Sequence, residues 1–333
     1  MKNSKELNIQ NLKNKIDDYL NTVYAIIGFL NTYKFEMEKH NKDIIIFQGR
    51  KLWLDKTNEN FVTPDFGLTL NEVNGLVGEV KYSFPSDKKL WVDTFTQIKK
   101  YEQIVTGWPT SIGNISEFDI VLLVQQSRSR AVIDYYLKTL PEKHRINKTF
   151  AILEFNRASQ GKEYFHFRIE HGTLTNKHVE NKFRQGLYVP YEIYISKYST
   201  IKIYDTEPPL PLLLQLIYDC VIDKLKGDGK FKKMTKKTKQ IVVITSHELT
   251  KTLREVYSFK SFHSPTYQNG QPEFPKQEWI KNALDKLFEM GEGNWLDKSS
   301  GSFSYVLTQK DGNILDHYIK RSIGLSAAQT ELF

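Results

Sequence analysis

The sequence predicts an α/β protein of two domains, and three observations carry that prediction. Apolar runs with strand character alternate with helical patterns through the first two thirds of the chain, the order of an α/β layer architecture. A proline-rich stretch, "DTEPPLPL" at 205–212, stops regular structure and reads as a linker. Beyond it the pattern changes to three helices followed by a hairpin. The expected boundaries are 1–205 for the first domain and 206–333 for the second.

The elements follow in order. Residues 11–40 carry Leu12, Ile16, Leu20, Val23, Ile27 and Leu30 at spacings of three and four, a core-facing helix with an expected break near Gly28. "DIIIF" (43–47) and "KLWL" (51–54) read as strands. The stretch "FVTPDFGLTLNEVNGLVGEVKYSFP" (61–85) reads as two strands joined by the turn "NEVNG". "DTFTQIKKYEQIV" (93–105) is helical, and "EFDIVLLVQ" (117–125) is a strand buried on both faces. A helix at 131–140, strands at 149–156 and 164–170, and further β structure in 191–204 complete the first domain.

In the second domain a helix (211–225) precedes a lysine-rich loop and a strand, "IVVIT" (241–245). The next helix starts at Ser246, whose hydroxyl can cap it. A third, 276–290, has Trp279, Ala283, Leu284 and Leu287 on one face and stops at Gly291. A hairpin at 294–308 then turns at Ser299-Ser300-Gly301. Three helices and a hairpin in this order make a winged-helix-like α+β domain.

Composition narrows the partners. The 333 residues carry a formal charge of +8, which suits an anionic partner such as nucleic acid. Residues 224–240 hold eight lysines against one acid, Asp228. Within that loop Lys230, Lys232, Lys233, Lys236, Lys237 and Lys239 are the candidates to track a phosphate backbone, a solvated loop being the alternative. The third helix carries Glu278, Asp285 and Glu289, so its own contact with DNA would meet phosphate repulsion. The single cysteine, Cys220, excludes an intrachain disulfide and a cysteine-based zinc or iron–sulfur site. The N-terminus lacks a signal-peptide pattern and no apolar run reaches membrane length, so a cytoplasmic location is expected. No G-x-x-x-x-G-K-[ST] loop occurs, so any DNA unwinding would need an ATPase or helicase partner.

The acids in the quoted hairpin ask for a reason. A carboxylate at a strand end is costly unless water, a cation or a metal satisfies it, and two on neighbouring strands repel unless a divalent ion bridges them. Oxygen donors without Cys or clustered His favour Mg²⁺ or Mn²⁺. Strand alternation puts Glu79 and Lys81 on one face with Val80 opposite. A lysine beside a metal-binding glutamate can orient an attacking water and offset charge building on a phosphate.

Pro64-Asp65, thirteen residues, then Glu79-Val80-Lys81 resembles the signature of the PD-(D/E)xK nuclease superfamily. Gln97-Ile98-Lys99-Lys100-Tyr101 resembles the Q-h-x-x-Y motif of its RecB-like and lambda-exonuclease-like branch. The resemblance spans roughly residues 20–160. It implies a restriction-endonuclease-like mixed β-sheet core flanked by helices. It also implies that Asp65 and Glu79 bind Mg²⁺, Lys81 assists water attack, and Gln97 and Tyr101 line the site. The family often adds an acid from its first helix, for which Glu36 and Glu38 are candidates. The expected function is a metal-dependent deoxyribonuclease, in restriction or anti-phage defence by family analogy. Duplex DNA is favoured over single strand as its substrate, and a homodimer is open. Two rivals stand beside it: a non-catalytic DNA-binding or scaffold protein on a nuclease fold, and a winged-helix transcription regulator.

Overall fold

A computed structural model describes residues 2–38, 44–70, 73–84, 87–111, 113–159, 163–190, 203–204, 206–232, 239–257, 274–310 and 313–330. The described residues fall into two compact units. One gathers 21–190 and 203–204; the other gathers 2–20, 206–257 and 274–330. The second unit therefore begins near the expected linker but also claims the first twenty residues, which the expected boundary of 1–205 had placed in the first.

Helix α1 (Lys2–Glu38) contributes to both units. It runs without interruption through Gly28, where a break was expected. Gly28 is itself buried among Ile26, Phe29 and Leu30, so tertiary packing offsets the glycine's weak helix propensity.

The first unit is a mixed α/β layer. Its strands are β1 (Ile44–Phe47), β2 (Leu52–Trp53), β3 (Phe61–Val62), β4 (Phe66–Leu70), β5 (Asn74–Lys81), β6 (Glu117–Gln125), β7 (Phe150–Ser159), β8 (Glu163–Gly172) and β9 (Leu187–Pro190). Seven form one sheet in the order β1-β4-β5-β6-β7-β8-β9, while β2 and β3 pair separately. The central β5, β6 and β7 run parallel, and the remaining pairings are antiparallel. Parallel neighbours need crossovers, which α2 (Trp91–Lys100) and α3 (Gln126–Lys138) supply.

Both crossover helices cover one sheet face. Trp91, Phe95 and Ile98 of α2 and Val132, Tyr135 and Tyr136 of α3 share a core with Val77, Leu122, Val124 and Ile152. The other face receives α1 and α4 (Lys177–Gln185), whose Phe29 and Phe183 stack 5.3 Å apart. Phe29 also rests on Phe66, with ring centres 5.5 Å apart. Residues buried on both faces explain the unbroken apolar run of β6. The sequence reading passes over α4 and β9, and most of the β structure expected in 191–204 lies outside the described residues.

Gly78 is dictated by this packing. An added Cβ would meet the ring of Phe66, which is fully buried and held by Phe29. Gly78→Ala is expected to cost about 1–3 kcal/mol through overpacking, seen as a lower urea midpoint with an unchanged slope.

The second unit comprises α5 (Leu210–Gly227), β10 (Gln240–Thr245), α6 (Ser246–Tyr257), α7 (Gln277–Glu289), β11 (Gly293–Asp297), β12 (Ser302–Leu307) and α8 (Ile314–Thr330). Its three strands order as β10-β12-β11, all antiparallel. Gly301 takes φ +71°, the left-handed conformation that closes the β11–β12 turn. Trp279, Ala283, Leu284 and Leu287 are buried on one face of α7. Asp285 accepts from Trp295 Nε1 and from Lys298 Nζ, each at 2.8 Å, so one acid of that helix pins the hairpin. Ile16 of α1 packs on Ile319 and Ile323 of α8.

The cap of α6 differs from expectation. Thr245 Oγ1 accepts from the Glu248 backbone N–H at 3.0 Å, whereas Ser246 is buried and its hydroxyl accepts from Gln277 Nε2. The capping oxygen thus sits one residue earlier, at the end of β10.

Cys220 is buried on α5, and burial pushes its thiol up to about 12, with nearby Asp223 and Glu248 adding to the rise. At pH 8 only about one native thiol in ten thousand is ionised, since the thiolate is the reactive form. The folded protein is therefore expected to leave a disulfide-exchange reagent unconsumed at pH 8. The rate should climb tenfold per pH unit, and denaturant should release one thiol at once. Immediate stoichiometric reaction of native protein would show an accessible sulfur instead. Among the described residues no helix is long and apolar enough to cross a membrane.

Candidate active site

The site forms where β4 begins and β5 ends. Pro64 removes a backbone donor just before β4, and Asp65 follows it as the last residue outside the ladder. Phe66 pairs with Gly78, so the same antiparallel register carries Asp65 to a position opposite Glu79. Both side chains are buried, at 3% and 1% exposure. Two acids facing each other across a ladder without water are unfavourable unless donors or a cation satisfy them.

The structure supplies such donors. Val80 N–H donates to Asp65 Oδ2 at 2.7 Å, which ties the aspartate to the neighbouring strand. Glu79 Oε1 accepts from Lys81 Nζ at 2.7 Å and from Gln97 Nε2 at 3.2 Å. Glu79 Oε2 accepts from the Tyr101 hydroxyl at 2.5 Å. Val80 points the other way and is buried, as strand alternation requires. Gln97 lies on α2 and Tyr101 in the short 3₁₀ turn after it, four residues apart on one face. The crossover from β5 to β6 thus returns over the strand end and closes the site from above.

Tyr101 is wholly buried, and its hydroxyl is held well above the usual phenol value. Burial is the main cause, followed by the negative charges of Glu79 and Asp65. The phenol therefore stays a hydrogen-bond donor at any physiological pH and fixes Glu79 in place. Tyr101→Phe leaves that carboxyl oxygen without its donor, at an expected cost of about 1–3 kcal/mol in stability. If the site is catalytic, the rate should fall by about 10- to 100-fold, as for loss of an outer-shell partner. Paired denaturation and rate measurements on the one variant check both numbers.

Five of the expected site residues, Asp65, Glu79, Lys81, Gln97 and Tyr101, come together. Glu36 does not. It is buried at the end of α1, where His178 Nε2 of α4 lies 3.2 Å from its Oε2. That places it on the sheet face opposite Glu79, because α1 lies against Phe66 while Glu79 faces α2. The helical spacing that buries Tyr33 and Met37 carries Glu36 to the same side, apart from Asp65 and Glu79. The side chain of Glu38 lies outside the described residues. Of the basic loop, Lys233, Lys236 and Lys237 also lie outside them. Lys230, Lys232 and Lys239 are exposed, with Lys230 Nζ 3.4 Å from Asp228 Oδ2.

One acid of the same edge escapes the sequence reading. Lys81, Val124 and Glu154 stand in register across β5, β6 and β7, placing Glu154 roughly 10 Å from Lys81 by strand spacing. Glu154 is buried, accepts from Ser129 Oγ at 2.9 Å, and lies 3.3 Å from Arg168 Nη2. Its signal was an acid inside the apolar run "FAILEF", the same kind of interruption that singled out Glu79.

The two facing carboxyls suit a hard divalent cation by donor chemistry, since both are oxygen ligands from rigid strands. Among the described residues no three His, Cys, Asp or Glu side chains converge on one point, so a bound ion would complete its shell with backbone oxygen, water or substrate. With α2 above and the carboxyl ends of β5–β7 alongside, the arrangement occupies the edge where open parallel sheets bind their ligands. The chain matches no family model, no curated protein and no solved structure.

Proposed function

We propose that the first unit is a metal-dependent nuclease domain of the PD-(D/E)xK type and that the protein hydrolyses phosphodiester bonds in DNA. The observation that carries the reading is the pair of buried carboxyls, Asp65 and Glu79, opposed across β4 and β5 with Lys81 on Glu79. Asp65 and Glu79 would hold Mg²⁺ or Mn²⁺, which when bound polarises the scissile phosphate and lowers the pKa of its water. Lys81 orients the attacking water and offsets charge developing on the phosphate. Gln97 and Tyr101 fix the orientation of Glu79. The second unit has the element order of a winged helix and would present duplex DNA, aided by Lys230, Lys232 and Lys239, in a restriction or defence setting. The test is incubation of the purified chain with plasmid in Mg²⁺, in Mn²⁺ and in EDTA. Metal-dependent nicking or linearisation supports the reading, and intact plasmid under every condition overturns it.

One observation favours a second reading. Glu79 accepts from three side-chain donors, an arrangement that would also serve a purely binding protein. Salt-sensitive DNA binding with no cleavage in either metal would select that alternative.

A further inference from the structure

A cavity of about 330 Å³ opens at the same carboxyl edge of β5 and β7, on the sheet face opposite the carboxyl pair. Its walls include Tyr82, Phe155 and Phe165, with Asn21 of α1 and the pair Arg157 and Glu163. Tyr82 directly follows Lys81, and Phe155 directly follows Glu154. Alternation therefore turns both rings to the sheet face opposite Glu79 and Glu154, where α1 lies. Their ring centres are 6.1 Å apart, and Phe165 contacts Tyr24 of α1 at 6.4 Å. Among the described residues the buried Oδ1 of Asn21 has no hydrogen-bond partner, a cost that a bound N–H donor would remove. Arg157 and Glu163 are joined at 2.7 Å, and Gln125 and Asn156 add further polar groups to the wall beside the three rings.

From this geometry we infer that the cavity takes one unpaired nucleobase of a DNA strand, stacked on Tyr82 and hydrogen-bonded by Asn21. The volume accommodates a base with its sugar. Aromatic faces bind every base without choosing sequence, whereas an amide acceptor selects for a ring or exocyclic N–H. A strand whose phosphate meets Lys81 would have to pass round the end of β5 to bring its next base over Tyr82 on the other face of the sheet. The inference deepens the nuclease reading and rests on it: the enzyme would act where a strand is single, frayed or has a base extruded. A free nucleotide shares the chemistry, so the test separates the two sources.

The full chain is titrated, in EDTA so that nothing is cleaved, with a fluorescent single-stranded deoxyoligonucleotide. A second strand of equal length and charge carries abasic sites instead of bases, and a third arm uses a deoxynucleoside monophosphate. The base-bearing strand is expected to bind about 5- to 150-fold more tightly than the abasic one. Tyr82→Ala and Asn21→Ala should each shrink that ratio, while the monophosphate binds far more weakly than the strand. Equal affinity of wild type for the two strands overturns the inference, as does a ratio preserved in a folded Tyr82→Ala and in Asn21→Ala. A monophosphate that binds as tightly as the strand reassigns the cavity to free nucleotide and overturns it too. The two proposals fail separately. An inactive chain that still discriminates bases loses the nuclease reading alone, and a metal-dependent nuclease that ignores the bases loses the pocket alone.

Discussion

If the proposed nuclease reading holds, Lys81→Met is expected to slow metal-dependent plasmid cleavage by about 10²- to 10³-fold, the loss found when one preorganised donor is removed from a developing charge. The ammonium sits 2.7 Å from Glu79 Oε1 at the end of β5, and methionine keeps its length and packing while deleting the charge. Glu79→Ala and Asp65→Ala should go further. A bound metal supplies several kcal/mol of charge stabilisation, and each 1.36 kcal/mol is tenfold in rate. Glu79→Ala also strips the acceptor from Lys81, Gln97 and Tyr101, so its folding must be verified by circular dichroism. Asp65→Asn is the cleaner control: it keeps the acceptor for the Val80 N–H but halves the anionic charge offered to the ion. Cleavage at wild-type rates by folded Lys81→Met and Asp65→Asn would dismiss these residues from the chemistry.

The largest stability effect is expected at Glu292, between α7 and β11. It is buried and receives Lys310 Nζ, His317 Nε2 at 2.9 Å and the Tyr318 hydroxyl at 3.3 Å. The Tyr318 hydroxyl in turn meets that of Tyr305 at 2.7 Å, which ties α8 to the three-stranded sheet. Lys310 has a side chain only 3% exposed, so Glu292→Ala would strand a buried ammonium. Removing one member of a buried ion pair costs about 3–5 kcal/mol. For a unit of this size that lowers the melting temperature by roughly 10–20 °C. A double replacement of Glu292 and Lys310 by methionine should recover much of the loss, since no charge is left uncompensated.

The same network fixes a pH dependence. Burial alone would raise the Glu292 carboxyl, but the bonds from His317 and Lys310 outweigh it and hold the group below the usual range. A lowered native value means the unfolded chain binds the proton first as pH falls. The stabilisation is thus complete above the ordinary glutamate range and drains away as pH drops through the lowered native value. Denaturant midpoints of the wild type between pH 7 and 3 should fall accordingly, and Glu292→Gln should flatten that slope.

Much of the sheet was legible because its signals are local. Alternation in "GEVKY" placed Glu79 and Lys81 on one face, and the four-residue step from Gln97 to Tyr101 placed both over Glu79. What escaped was decided by long-range packing. The side of the sheet that receives α1 sets Glu36 apart from Asp65 and Glu79, and no periodicity within the helix reveals it. Gly28 reads as a break because propensity is local, while burial overrides it. The α6 cap moved to Thr245 because Ser246 is drawn into the core by Gln277, a partner thirty-one residues away. Glu154 gave the same cue as Glu79 but had no motif beside it to draw attention.

Helix α1 has a practical consequence for dissecting the molecule. Its first twenty residues belong with segments that are synthesised after the sheet, while the rest of it belongs with the sheet. No single cut of the gene can therefore yield both units intact. A fragment starting at residue 206 would expose the apolar seam of α8 that Ile16 normally covers, and would be prone to aggregate. During translation the amino-terminal arm must wait for the carboxyl-terminal helix before its own packing is complete.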